Sequence, residues 1–182
     1  MTRYLPVLRV FLIALTLVAG AVHETHASHA LAIERHTQWQ PHLERSEAAL
    51  DGGDVRGALL AWREGYAAAL ASRHWEGLIA VGDVYLRIGD AGAFRAAART
   101  KARKIYRAAL FRARDSASVA GVLRTAEAFA GLGDGEVVEQ CIRVARGLAA
   151  LVRDARAEAQ VRRFAERWAA RELEVERLRV TN

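Results

Sequence analysis

Residues 75–90 read WEGLIAVGDVYLRIGD, and residues 91–109 continue AGAFRAAARTKARKIYRAA. The first stretch is apolar at helical spacing, with a small residue at Gly82 and an aromatic three positions later at Tyr85. It runs into Gly89-Asp90. The second stretch is rich in alanine and arginine, both strong helix formers. A glycine can end a helix in the left-handed conformation, and the aspartate after it can cap the next helix. The expectation is a helical hairpin: one helix over Trp75–Ile88 and a second over Ala91–Arg114.

The same Gly-Asp pair occurs at Gly53-Asp54 and Gly133-Asp134, so the glycines are spaced 36 and 44 residues apart. Periods of this size mark stacked helical repeats. Side-chain types recur at fixed offsets. Ser46, Gly82 and Ala126 stand seven residues before the glycine, and Ala49, Tyr85 and Phe129 four before it. Trp62 and Ile142 stand nine after it, and Gly65 and Ala145 twelve after it. Tyr106 and Ala109 join these sets if the second hairpin carries eight extra residues. Small residues let two helices approach, and large ones fill the groove between them. Two further hairpins are expected, Pro41–Leu50 with Val55–Ser72 and Val119–Leu132 with Glu136–Val152. A long last helix covers Arg153–Leu178. Pro41 suits the first helical position, where its missing N–H costs nothing.

Over residues 39–152 this pattern resembles the tetratricopeptide repeat. The resemblance rests on Gly82 and Tyr85 in one helix and Ala102, Tyr106 and Ala109 in the next. It is weaker in the third hairpin and weakest in the first, where His42 and Arg45 fall on core offsets. The closing proline of that family is absent. The resemblance implies an all-α fold: an α-α superhelix of about three stacked antiparallel hairpins, with residues 153–182 as a C-terminal amphipathic, capping helix. A non-repeat helical bundle is the alternative.

Apolar residues make up 52% of the chain, enough for a core at 182 residues. The net charge is +6, and 25 of the 27 basic residues are arginine. That permits acidic partners without demanding them, because arginine also favours helix and packs its stem. Residues 1–30 have the layout of a secretory signal peptide. Arg3 and Arg9 precede the apolar run 11–18, and cleavage positions follow at Ala21, Ala27 and Ala30. Residues 31–38 read as a linker. The expected location is periplasmic or secreted; an uncleaved membrane anchor is the alternative. With no cysteine near the cleavage region, a lipoprotein is not expected. His23, His26, His29, His36 and His42 crowd this part, but H-E-T-H is one residue short of the zinc-protease pattern. No metal or cofactor is expected. Nor is catalysis, since no phosphate loop, paired-cysteine motif or nucleophile elbow occurs.

The resemblance also implies that first helices line a groove. Leu43, Ile79 and Leu123 stand ten before each glycine, and Glu47, Asp83 and Glu127 six before it. A difference of four puts each apolar residue beside its acid. Leu50, Leu86 and Arg87 extend that surface. Such a groove suits an amphipathic or basic segment of another protein, which makes a protein-interaction scaffold the expected function. The alternative is an envelope-associated module that binds anionic surfaces through Arg95, Arg99, Arg103, Lys104, Arg107 and Arg114, on a helix that carries no acid between residues 91 and 114. Nucleic-acid readout is not expected, since no DNA-reading motif is present. Val161, Phe164, Trp168, Val175 and Leu178 form a seam on the last helix, which can cap the repeats or join two copies. Trp168 is expected against Leu148, Leu151 or Val152, and Cys141, the only cysteine, in the core.

Overall fold

A computed structural model describes residues 37–181. The signal-peptide reading and all of the histidine cluster except His42 lie outside the described residues. The compact unit that begins at Gln38 contains seven α-helices among the described residues. They are α1 (Gln40–Asp51), α2 (Val55–Ser72), α3 (Trp75–Ala91), α4 (Arg95–Asp115), α5 (Val119–Gly131), α6 (Gly135–Val152) and α7 (Ala155–Val180). The chain is all-α over this range. Each helix packs on the next, and the first helices of successive hairpins also touch: α1 on α3, α3 on α5, α5 on α7.

The hairpin turns share one geometry. A left-handed residue stands at Gly53 (φ 76°), Ala93 (φ 57°) and Gly133 (φ 76°). In each turn the following N–H reaches back five residues: Asp54 to the Ala49 carbonyl, Phe94 to Gly89 and Asp134 to Phe129, at 2.8–3.1 Å. This is the bond pattern of a helix closed by a left-handed residue. The central turn is therefore built on Ala93, not Gly89. Gly89 is helical and buried, and α3 runs on to Ala91. Its missing Cβ has a different use, since a methyl group there would collide with that of Ala98 on α4.

With its turn at Ala93, the central hairpin falls into an even register with its neighbours. Gly53, Ala93 and Gly133 are 40 residues apart at each step. The eight-residue excess is shared between two helices. Helix α3 has 17 residues against 12 and 13 in α1 and α5, and α4 has 21 against 18 in both α2 and α6. Each gains about one turn, on the side of the hairpin tip.

The recurring side chains form the core. Trp62, Tyr106 and Ile142 are buried, as are Ala58, Ala102 and Val138 one turn earlier and Gly65, Ala109 and Ala145 one turn later. Tyr106 lies over Gly82, where a Cβ would strike its ring. The hairpins meet through a second set of small residues. A Cβ on Gly77 would lie 2.8 Å from the Trp39 indole and 3.0 Å from the Ala69 methyl. One on Gly121 would lie 2.7 Å from the Trp75 indole and 2.8 Å from the Ala113 methyl. The Trp62 indole N–H donates to the Val81 carbonyl at 2.7 Å and ties the first hairpin to the second.

Helix α7 begins like another first helix, after a left-handed Arg153 (φ 51°). Ala157, Val161 and Phe164 are buried, and α7 lies against α6 and α5. Where α3 and α5 present Leu78 and Val122, then Gly82 and Ala126, to their own second helices, α7 has the exposed Glu158 and Arg162. Among the described residues, no second helix of the chain packs on that face. The expected seam is divided. Val161 and Phe164 are core, whereas Val175 and Leu178 are 37% and 54% exposed. Trp168 does not cover the end of α6. Leu151 and Val152 there are exposed, and the indole edge rests beside Gly135.

Candidate functional site

The residues expected to line a groove are brought to one side of the unit, but not as one open row. Leu43, Ile79 and Leu123 are 5%, 3% and 8% exposed and belong mainly to the core. The continuous apolar surface expected from their offsets is absent, because neighbouring first helices pack closely enough to cover it. Leu50 and Leu86 are half-buried against the same core.

The carboxylates remain at the surface, and two of them, Glu47 and Asp83, are bridged by arginines from the next first helix. Glu47 on α1 pairs with Arg87 on α3. Asp83 on α3 pairs with Arg124 on α5 at 2.9 Å, and Arg124 also lies 3.7 Å from Glu127. The buried Tyr106 hydroxyl donates to Asp83 Oδ1 at 2.6 Å. Burial, and then the Asp83 charge, push the Tyr106 pKa far above its ordinary value of 10. Arg124 escapes the offset argument because acids and arginines occupy different registers on successive helices.

What is left between these bridges is two hollows. The larger, about 360 Å³, lies between α1 and α3. Leu43, Ala80 and Val84 contribute its apolar wall, with Trp39 at one end, and its rim holds Glu44, Glu47 and Asp83 against the single cation Arg87. The smaller, about 180 Å³, lies between α5 and α7, with Phe164 and Ala130 beside Glu127, Arg167 and Arg171. Leu43, Glu47, Asp83 and Arg87 thus converge on the first hollow and Glu127 on the second. Trp39, Glu44, Ala80 and Val84 were missed. Spacing signalled all but Trp39, since Ala80 stands three before Asp83 and four before Val84, and Glu44 three before Glu47.

Two of the six expected basic residues on α4, Arg99 and Arg103, tie hairpins together. Arg99 donates to the Leu132 carbonyl at 2.6 Å. Arg103 grips Asp134 through two bonds of 2.7 and 2.8 Å, which raise the Arg103 pKa. Outside the expected set, Arg112 closes the end of α2 by donating to the Ala69 and Leu70 carbonyls, and Lys101 sits over the Tyr66 ring. Cations near a helix C-terminus satisfy its last carbonyls and offset its dipole. Arg95 pairs with Asp90 and Arg114 with Asp115. Lys104 and Arg107 are exposed. The expected cap of α6 changes role as well: Asp134 makes no side-chain cap bond and holds Arg103 instead. Asp54 does cap α2, accepting from the Gly57 N–H at 2.8 Å.

His42 and Arg45, which fitted the first hairpin poorly, both reach Glu64 on α2, at 3.0 and 2.7 Å. Cys141 is fully buried, and burial pushes its thiol pKa up to about 11. No helix among the described residues is long and apolar enough to cross a membrane, and no group of three metal-ligating side chains occurs among them. Comparison with protein-family models, curated proteins and solved structures finds no significant match.

Proposed function

We propose that the chain is a tetratricopeptide-like interaction scaffold, acting outside the cytoplasm after loss of residues 1–30, and that it holds a partner segment in the hollow between α1 and α3. One observation carries this reading. An apolar wall of Leu43, Ala80 and Val84 is rimmed by Glu44, Glu47 and Asp83, of which Glu47 pairs with Arg87 and Asp83 with Arg124. Such a lining favours an amphipathic segment that buries one or two apolar side chains and sets Lys or Arg against Glu44 and Glu47. Rim charges steer encounter and select sign more than they add affinity.

Panning a displayed library of random peptides against the purified protein tests this. Enriched sequences are expected to combine apolar and basic residues. They are expected to lose at least about tenfold in affinity for the Glu44→Lys/Glu47→Lys double variant, and more of it at low salt. Enrichment of acidic peptides, or binding indifferent to the double variant, rejects the hollow as the site.

A further inference from the structure

We propose that the outward face of α7, with the groove it forms against α6, is a two-fold contact between two copies of this chain. The groove has a volume of about 530 Å³, and its floor is Ala149, Ala150, Val161 and Ala165. Its polar lining is balanced: Arg146 and Arg162 against Glu158 and Glu166. A lining with no net charge does not select a basic or an acidic partner. A second copy related by a two-fold axis meets two of these charges, Arg162 and Glu166, with the same two in reversed order.

The sequence of α7 has the required symmetry. Ala155, Arg162, Glu166 and Leu173 are separated by 7, 4 and 7 residues, so at 100° per residue they share one face. That face points away from the buried Ala157, Val161 and Phe164. Laying two such helices antiparallel, with the axis beside position 164, sets Arg162 of each copy against Glu166 of the other. The same placement brings Ala159 opposite Ala169 of the second copy, small enough for close approach. It also brings Leu173 opposite Ala155 of the second copy, next to Leu151 and Val152 at the end of α6. Leu151, Val152 and Leu173 are 77%, 54% and 70% exposed in the single chain, and the pairing covers all three. This surface differs from the seam read in the sequence, half of which is spent inside the chain.

Charge reversal tests the contact on the full chain, by sedimentation velocity over about 1–100 µM. The wild-type chain is expected to dimerise. Arg162→Glu and Glu166→Arg are each expected to weaken the dimer at least about tenfold, because each sets like charges across the axis twice. The double variant, Arg162→Glu with Glu166→Arg, restores both pairs and is expected to dimerise again. A mixture of the two single variants is expected to form a 1:1 heterodimer that neither forms alone. Both positions are exposed, so the fold tolerates the changes, and any association through residues 1–36 is common to all variants. A monomeric wild type, single variants that dimerise like wild type, or a mixture that fails to pair each overturns the proposal.

Discussion

Replacing Ala93 by glycine should make this protein more stable, and the sign of that effect depends on where the central hairpin turns. Ala93 has φ 57°. The left-handed conformation costs an L-residue roughly 1–2 kcal/mol, and glycine is free of that cost. Against this, glycine loses about 0.5–1 kcal/mol more than alanine in chain entropy on folding. The Ala93 methyl is exposed, so no packing is lost. The net expectation is a gain of about 0.5–1 kcal/mol, or a rise in midpoint temperature of roughly 2–4 °C for a domain of this size. The converse change, Gly133→Ala, puts a Cβ into open space at φ 76° and should cost a similar amount. Urea titrations followed by tryptophan fluorescence and by far-ultraviolet circular dichroism measure both. The slope should not change, since the surface exposed on unfolding is the same. Were the turn at Gly89-Asp90, Ala93 would lie in the first turns of α4, and glycine there would cost up to about 1 kcal/mol. A loss of stability in Ala93→Gly refutes the turn geometry and the 40-residue register built on it.

Gly121→Ala should destabilise by about 1–2 kcal/mol, because its methyl meets the Trp75 ring at 2.7 Å and the Ala113 methyl at 2.8 Å, an overpacking cost only partly offset by better helix propensity. Gly147→Ala, on α6 with open space around it, should gain about 0.5–1 kcal/mol in the same urea assay; equal effects at the two sites would show that the second and third hairpins are not in close contact. Tyr106→Phe should cost about 1–2 kcal/mol through loss of the bond to Asp83. Because the folded state raises the Tyr106 pKa above its ordinary value of 10, the stabilisation linked to its protonated form is complete below pH 10 and declines as pH rises beyond it. The gap between wild type and Tyr106→Phe should therefore hold steady up to about pH 10 and narrow above it, as read from urea midpoints; a gap that widens contradicts the assignment.

The helices themselves were legible because side-chain period alone sets them. Small and large residues recur at helical spacing, and those positions are the core. The central turn was not legible because glycine has two uses that a sequence does not separate. At Gly53 and Gly133 it supplies a positive φ, whereas at Gly89 it makes room for Ala98. Ala93, which takes the strained conformation, carries no signal of its own. The groove was half legible. Helical offsets put Glu47 and Asp83 on one side with Leu43, but not the depth to which neighbouring first helices cover Ile79 and Leu123. Nor does a string of arginines reveal its acceptors. Arg99 and Arg112 end on backbone carbonyls 33 and 43 residues away, and only the stacking of hairpins brings those within reach.

Nuclear magnetic resonance mapping would show whether a partner segment takes the hollow between α1 and α3, as proposed. A basic amphipathic peptide from the panning experiment, titrated into labelled protein, should shift the amide signals of Leu43, Glu44, Glu47, Ala80, Asp83 and Val84 together with the Trp39 indole signal. Those of Lys104 and Arg107 on α4 should stay in place. Shifts concentrated on α4, or spread evenly over the unit with none at Ala80 and Val84, would place the binding surface elsewhere.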